Sequence, residues 1–129
     1  MSWSEAFVVL AVSHVVGDFV LQTEWQAVNK SGGLGRDPVA RRALLSHIAT
    51  YTLAFAPALV WIAIDHGARA IGAAAVISIP HLIQDDGRLL HWYIARVKRS
   101  PNATDLLHLT VDQSFHIVGL LAAALVAAA

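Results

Sequence analysis

Residues 5–23 read Glu5-Ala6-Phe7-Val8-Val9-Leu10-Ala11-Val12-Ser13-His14-Val15-Val16-Gly17-Asp18-Phe19-Val20-Leu21-Gln22-Thr23. The run is apolar enough, and close to the ~20 residues needed, for a helix that crosses a hydrocarbon core. Trp3 and Trp25 bracket it as interfacial anchors would. It also carries His14 and Asp18 four residues apart. Ionisable groups inside a bilayer cost roughly 2.5–3.5 kcal/mol each on insertion scales, so they need a partner or a function. The N-terminal segment lacks the basic region of a secretory signal, so the run is expected to be a retained transmembrane helix.

Three further apolar segments follow, at about 39–64, 69–97 and 104–129. The expected fold is therefore all-α: a single domain, 1–129, forming a four-transmembrane-helix bundle. Composition agrees, since 57% of the 129 residues are hydrophobic and only 14% are charged. A soluble domain of this size needs more polar surface than that. Pro38 is placed to open the second helix, and Pro57 and Pro80 are expected to kink the second and third. Asn102 or Thr104 can cap the fourth. The glycine-rich stretch from Asn29 to Pro38 reads as a flexible connection rather than a phosphate loop, because no Walker pattern surrounds it. Small residues from Gly119 to Ala129 allow close helix packing.

Basic residues set the expected orientation. Lys30, Arg36, Arg41 and Arg42 follow the first helix, Arg96, Lys98 and Arg99 follow the third, and the short turn at 65–69 carries only Arg69. The positive-inside rule then puts both basic loops in the cytoplasm and both termini on the outer side. A formal net charge of +0 gives no reason to expect nucleic acid as a partner; the lipid bilayer is the expected one, and association into a homo-oligomer is left open.

The histidine–aspartate pairing recurs. His81 with Asp85 and Asp112 with His116 repeat the spacing of His14 and Asp18, and His47 lies in the remaining segment. Residues four apart on a helix share a face, so each pair can grip one ion or bridge two. Under the expected topology, all seven fall in the cytoplasmic half of the bundle. With no cysteine in the chain, His14, Asp18, His47, His81, Asp85, Asp112 and His116 are the candidate metal ligands. Imidazole and carboxylate together suit a divalent transition metal, zinc first and iron or manganese next, as one or two ions. Asp18 and Asp112 are the candidate catalytic carboxylates, and Gln22 and Gln113 are placed to orient ligands or substrate. A metal lowers the pKa of its water towards ~7, so metal-dependent hydrolysis of a lipid-like or amphipathic substrate is the expected chemistry.

The competing readings are a structural hydrogen-bond network, an ion- or proton-translocating bundle, an accessory subunit, and haem held by paired histidines. Almost wholly apolar outer halves, such as 54–64 and 119–129, disfavour translocation. The aspartates have no evident role beside a haem. His108 extends the last pair into a ladder and is a reserve ligand, and Asp86 is either a spare ligand or a partner of Arg88. His66 is expected in solvent and His91 at the interface beside Trp92 and Tyr93.

Several of these residues also carry a resemblance. The run from His14 to Thr23, Lys30, His47 with Tyr51, His81 to Asp85, and Asp112-Gln113-Ser114-Phe115-His116 resemble the bacterial and phage membrane family called domain of unknown function 3307. The likeness spans nearly the whole chain. It implies a multi-pass protein of the bacterial inner membrane and carries no established activity. A looser likeness to small membrane proteins proposed to be metal-dependent hydrolases supports the reaction class by analogy alone.

Overall fold

A computed structural model describes residues Met1–Ala129. The chain is all helical: α1 (Trp3–Val15) running into a π-helical turn (Val16–Leu21), then α2 (Glu24–Asn29), α3 (Pro38–Ala54), α4 (Ala56–His66), α5 (Arg69–Asp85), α6 (Arg88–Arg96) and α7 (Asp105–Ala128). There are no strands. Two stretches, Trp3–Leu21 and Asp105–Ala128, are long and apolar enough to cross a membrane. The pair α3 and α4 adds a third if its two halves form one span. At 17 residues α5 is shorter than these, so four crossings are not established by helix length alone.

Local chemistry explains where the helices begin and break. Ser2 and Glu5 form a reciprocal cap on α1, Asp37 accepts the Val39 amide ahead of Pro38, and Thr104 caps α7 through the Leu107 amide. The second apolar segment bends by 50° between α3 and α4. Pro57 has no amide to return to Leu53, so the ladder is interrupted at Phe55. Pro80, by contrast, lies within an unbroken α5.

Three expectations need correction. The third helix does not continue from 69 to 97. It stops at Asp85 because Gly87 takes a left-handed conformation (φ 79°), and α6 starts anew. The first helix ends at Leu21 rather than Thr23, and the capping pair Thr23–Gln26 opens the short α2. Nor is the glycine-rich stretch a loose tether. The Gly32 amide bonds Asp86 O at 2.8 Å, the Leu34 amide bonds Asp86 Oδ1 at 2.8 Å, and Arg41 bonds Gly35 O at 2.6 Å. A Cβ on Gly33 would lie 2.5 Å from that of Leu44, so only glycine lets the loop lie on α3 this closely.

The bundle is layered along its length. One half is an apolar core in which Ala6, Leu10, Phe55, Ile62, Ala73, Ala123, Ala124 and Ala127 pack together. The N-terminus, which lies 3.0 Å from Asp65, belongs to this end, as do the 65–69 turn and the end of α7. His66 is not free in solvent but bonds Met1 O at 2.9 Å. The other half is polar inside, and every Lys and Arg except Arg69 lies towards it. Meanwhile Val8, Val12, Leu53, Val60, Ile71, Ile79, Val118 and Leu125 are exposed. Apolar side chains thus coat the outside of helices that bury histidine and aspartate, the reverse of a water-soluble domain.

Candidate metal centre

Four helices and the π-helical turn deliver the centre. His14 closes the last turn of α1 and Asp18 lies in the π turn. His47 comes from α3, His81 and Asp85 from the end of α5, and Asp112 and His116 from α7. His14, Asp18, His47, His81, Asp85 and His116 are buried, and Asp112 is half-buried. The π turn is a feature the histidine–aspartate spacing did not announce. Such turns are rare and concentrate at functional sites, and this one holds Asp18 with His14 Nδ1 3.6 Å from Asp18 Oδ2.

The middle of the cluster is an edge between two imidazoles. His47 Nε2 lies 3.1 Å from His81 Nε2. Asp85 Oδ2 closes a triangle on one side, at 2.9 Å from His47 and 3.2 Å from His81. Asp18 Oδ1 closes another, at 3.3 and 3.5 Å. Ligand atoms ~2.0–2.2 Å from a tetrahedral zinc stand about 3.3–3.6 Å from each other. The Asp18 edges fall in that range, and the Asp85 triangle is slightly tighter. Three sets of donor atoms converge closely enough to share an ion: Asp18, His81 and His116; His47, His81 and Asp85; Asp85, Asp112 and His116. Buried His/Asp clusters here are geometrically able to hold a metal.

Tautomers sharpen the point. His116 Nδ1 is 2.8 Å from the backbone oxygen of Asp112. A carbonyl only accepts, so Nδ1 carries the proton and a neutral His116 presents the Nε2 lone pair. That atom is buried, has no hydrogen-bond partner, and faces Asp85 Oδ1 at 3.8 Å. Asp18 Oδ1 is likewise buried without a hydrogen bond. Electron-rich atoms turned towards one another in a dry interior call for a cation or a proton between them. The outer Nδ1 atoms of His47 and His81 lack acceptors as well. Packing orients these rings instead, with Tyr51 stacked on His81 at a centroid distance of 3.5 Å and 6° between planes.

His14 reaches the cluster in a different role. Gln113 turns its Nε2 to Asp18 Oδ2 (3.4 Å) and Asp112 Oδ2 (3.3 Å), leaving Oε1 to accept from His14 Nε2 at 2.9 Å. Tyr51 then donates its hydroxyl to His14 Nδ1 at 3.0 Å. Both nitrogens of His14 are engaged, and it belongs to none of the three converging sets. His14 thus braces Tyr51 and Gln113. Gln22 is one step removed, accepting from Lys30 at 2.7 Å.

Two contributors were not singled out by spacing. Tyr51 is one turn beyond His47 on α3, a signal visible in the sequence. Lys30 has no such signal: it comes from the docked loop after α2, and its Nζ lies 2.8 Å from Asp85 Oδ2. Of the reserve residues, Asp86 pairs with Arg88 at 2.6 Å and stays out of the cluster. Burial alone would raise the Asp86 carboxyl, but the Arg88 guanidinium and the Leu34 amide outweigh it and hold it below its ordinary value. His108 also lies outside the cluster, at the wall of an adjoining polar cavity, where its ring meets that of His91 at 4.8 Å.

A family profile described as "Protein of unknown function (DUF3307)" matches residues 6–129. No curated protein and no solved structure matches the chain.

Proposed function

With the chain a member of this family of unknown function, we propose that it is a four-crossing integral membrane protein whose buried centre binds one or two divalent transition-metal ions and hydrolyses an amphipathic substrate. The observation that carries this reading is the convergence of His47, His81, Asp18 and Asp85 at 2.9–3.5 Å. Nitrogen and oxygen donors without sulfur favour zinc, with iron or manganese next. In the membrane reading α1 with its π turn, α3 with α4, α5, and α7 are the four crossings. At 17 residues α5 is about 26 Å long, a mismatch a bilayer absorbs by local thinning. The positive-inside rule puts the basic, polar end in the cytoplasm and both termini outside.

Surroundings support the substrate class. A polar cavity of about 320 Å³ reaches Asp85 and Asp112 from the loop end. It shares Gln84 and Leu90 with an apolar cavity of about 270 Å³ lined by Leu89, Trp92, Tyr93 and Phe115. A polar headgroup fits the first and an alkyl chain the second. A bound metal would supply an activated water and polarise the scissile carbonyl or phosphoryl group. Asp112, the half-buried carboxylate on the cavity wall, is the candidate general base.

One observation favours a second reading, a non-enzymatic polar network. Lys30 already neutralises Asp85, and a lysine can stand where an ion would be needed. Translocation is less well supported, because the apolar core from Leu10 to Ala127 closes the far half of the bundle.

The test is zinc-loaded, detergent-purified protein beside an Asp18→Ala/Asp112→Ala double variant, assayed for metal content and for cleavage of amphipathic esters and phosphoesters. Metal-dependent turnover in the wild type, with both the tightly held metal and turnover lost in the variant, supports the proposal. Stoichiometric metal with no turnover on either class would overturn the hydrolase and leave the metal centre.

A further inference from the structure

The loop-end cavity carries a second pair of histidines that the buried centre does not use. His91, from the first turn of α6, and His108, from the first turn of α7, bring their rings to 4.8 Å at the wall of the polar cavity. Each Nδ1 is tied to a backbone oxygen four residues earlier: His91 to Gly87 O at 2.7 Å, and His108 to Thr104 O at 3.1 Å. Those oxygens accept only, so each Nδ1 carries its proton and each neutral ring leaves Nε2 as a lone pair. Anchoring one nitrogen on a carbonyl while the other is left free is how proteins prepare an imidazole to bind metal.

The charge of the cavity selects the ligand. Asp85, Asp105 and Asp112 line it with the two histidines, and its sole lysine, Lys30, is bonded to Asp85. Three carboxylates against one paired lysine attract cations and repel phosphate. The cavity also ends on Asp85 and Asp112, two of the carboxylates of the buried centre.

We propose that His91 and His108 form an exposed two-histidine site for a divalent transition metal, in a cavity that Asp105 also lines, through which ions are loaded into the buried centre. Binding at this pair stands on its own geometry; the loading role rests on the metal reading of the buried centre.

The experiment titrates zinc into four detergent-purified, chelator-stripped full-length proteins against a chromogenic competitor, following both stoichiometry and rate. These are the wild type, His91→Ala/His108→Ala, His47→Ala/His81→Ala, and the combination of all four substitutions. Both histidines lie near the surface, so their loss should leave the fold intact. The expected result is one weakly held, rapidly exchanging equivalent missing from the His91→Ala/His108→Ala protein, whose remaining zinc loads at least tenfold more slowly. That weak equivalent should persist in His47→Ala/His81→Ala, whose substitutions lie away from this cavity, and vanish in the combination, which separates it from the buried centre. Identical stoichiometry and affinity with and without His91 and His108 would overturn the site. One fewer equivalent with an unchanged loading rate would overturn the loading role. A weak equivalent present in a protein that holds no other zinc would retain the site and sink the buried centre instead.

Discussion

His47 and His81 bring their Nε2 atoms to 3.1 Å of each other, and Asp85 Oδ2 lies within 3.2 Å of both. One proton can serve only one of these contacts, whereas one divalent ion satisfies all three atoms at once. The variants His47→Ala and His81→Ala should therefore each weaken zinc binding by at least a hundredfold, about 2.7 kcal/mol. Competition with a chelator of known affinity checks this. Wild-type affinity in both variants would mean that the metal binds elsewhere.

Lys30 separates the metal reading from the structural network. Its Nζ is 2.8 Å from Asp85 Oδ2, the oxygen that also faces the two histidines. If a metal shares that carboxylate, Lys30→Met should matter little in zinc-loaded protein. In chelated protein it should cost about 3–5 kcal/mol, as when one partner of a buried pair is removed. Denaturation midpoints with and without zinc read the difference. An equal loss in both states would favour a network in which Lys30 is the resident cation.

Gly17 sets how closely the π turn approaches α3. A Cβ there would stand 2.6 Å from Tyr51 Cδ2 and 3.4 Å from Tyr51 Cα, so Gly17→Ala must move the ring that stacks on His81 and bonds His14. Overpacking of this kind costs about 1–3 kcal/mol, and zinc affinity should fall at least tenfold with it. Gly119→Ala is the control, since a Cβ there meets nothing within 4 Å. Its expected effect is nil or slightly stabilising. Equal behaviour of the two variants would remove the steric role given to Gly17.

Asp86 fastens the loop that delivers Lys30. Its carboxylate takes the Leu34 amide at 2.8 Å and the Arg88 guanidinium at 2.6 Å, which together hold it below its ordinary pKa. A depressed carboxyl contributes stability above its unfolded value of about 4, and loses it as pH falls through the lower folded value. Asp86→Ala should thus destabilise by roughly 2 kcal/mol at pH 7. The gap from wild type should narrow only below about pH 4. A gap that stays constant from pH 7 to pH 3 would contradict the assignment.

Much of this arrangement can be read from spacing alone. His81 with Asp85, and Asp112 with His116, are one helical turn apart. That period, together with the placement of basic residues, brings them to one level near the loop end. Periodicity says nothing about which nitrogen of a ring is already spoken for. By spacing His14 is equivalent to His81; in the structure Tyr51 and Gln113 engage both its nitrogens. The π turn at Gly17 and Asp18 has no signature in the hydrophobic pattern. The docking of the glycine-rich loop depends on Asp86, more than fifty residues away, which no local pattern encodes. The break at Gly87 has a local signal, but a single glycine between two apolar runs does not by itself distinguish a stop from a continuous helix.

The most direct measurement is X-ray absorption at the zinc edge on purified, zinc-loaded wild-type protein, with the His91→Ala/His108→Ala protein alongside to remove the exposed pair. The expected result is a nitrogen and oxygen shell at ~2.0–2.2 Å with outer scattering from at least two imidazoles, present in both proteins and lost when His47→Ala/His81→Ala is added to the protein that lacks the exposed pair. Protein that retains no zinc, or zinc whose shell shows no imidazole, would contradict it.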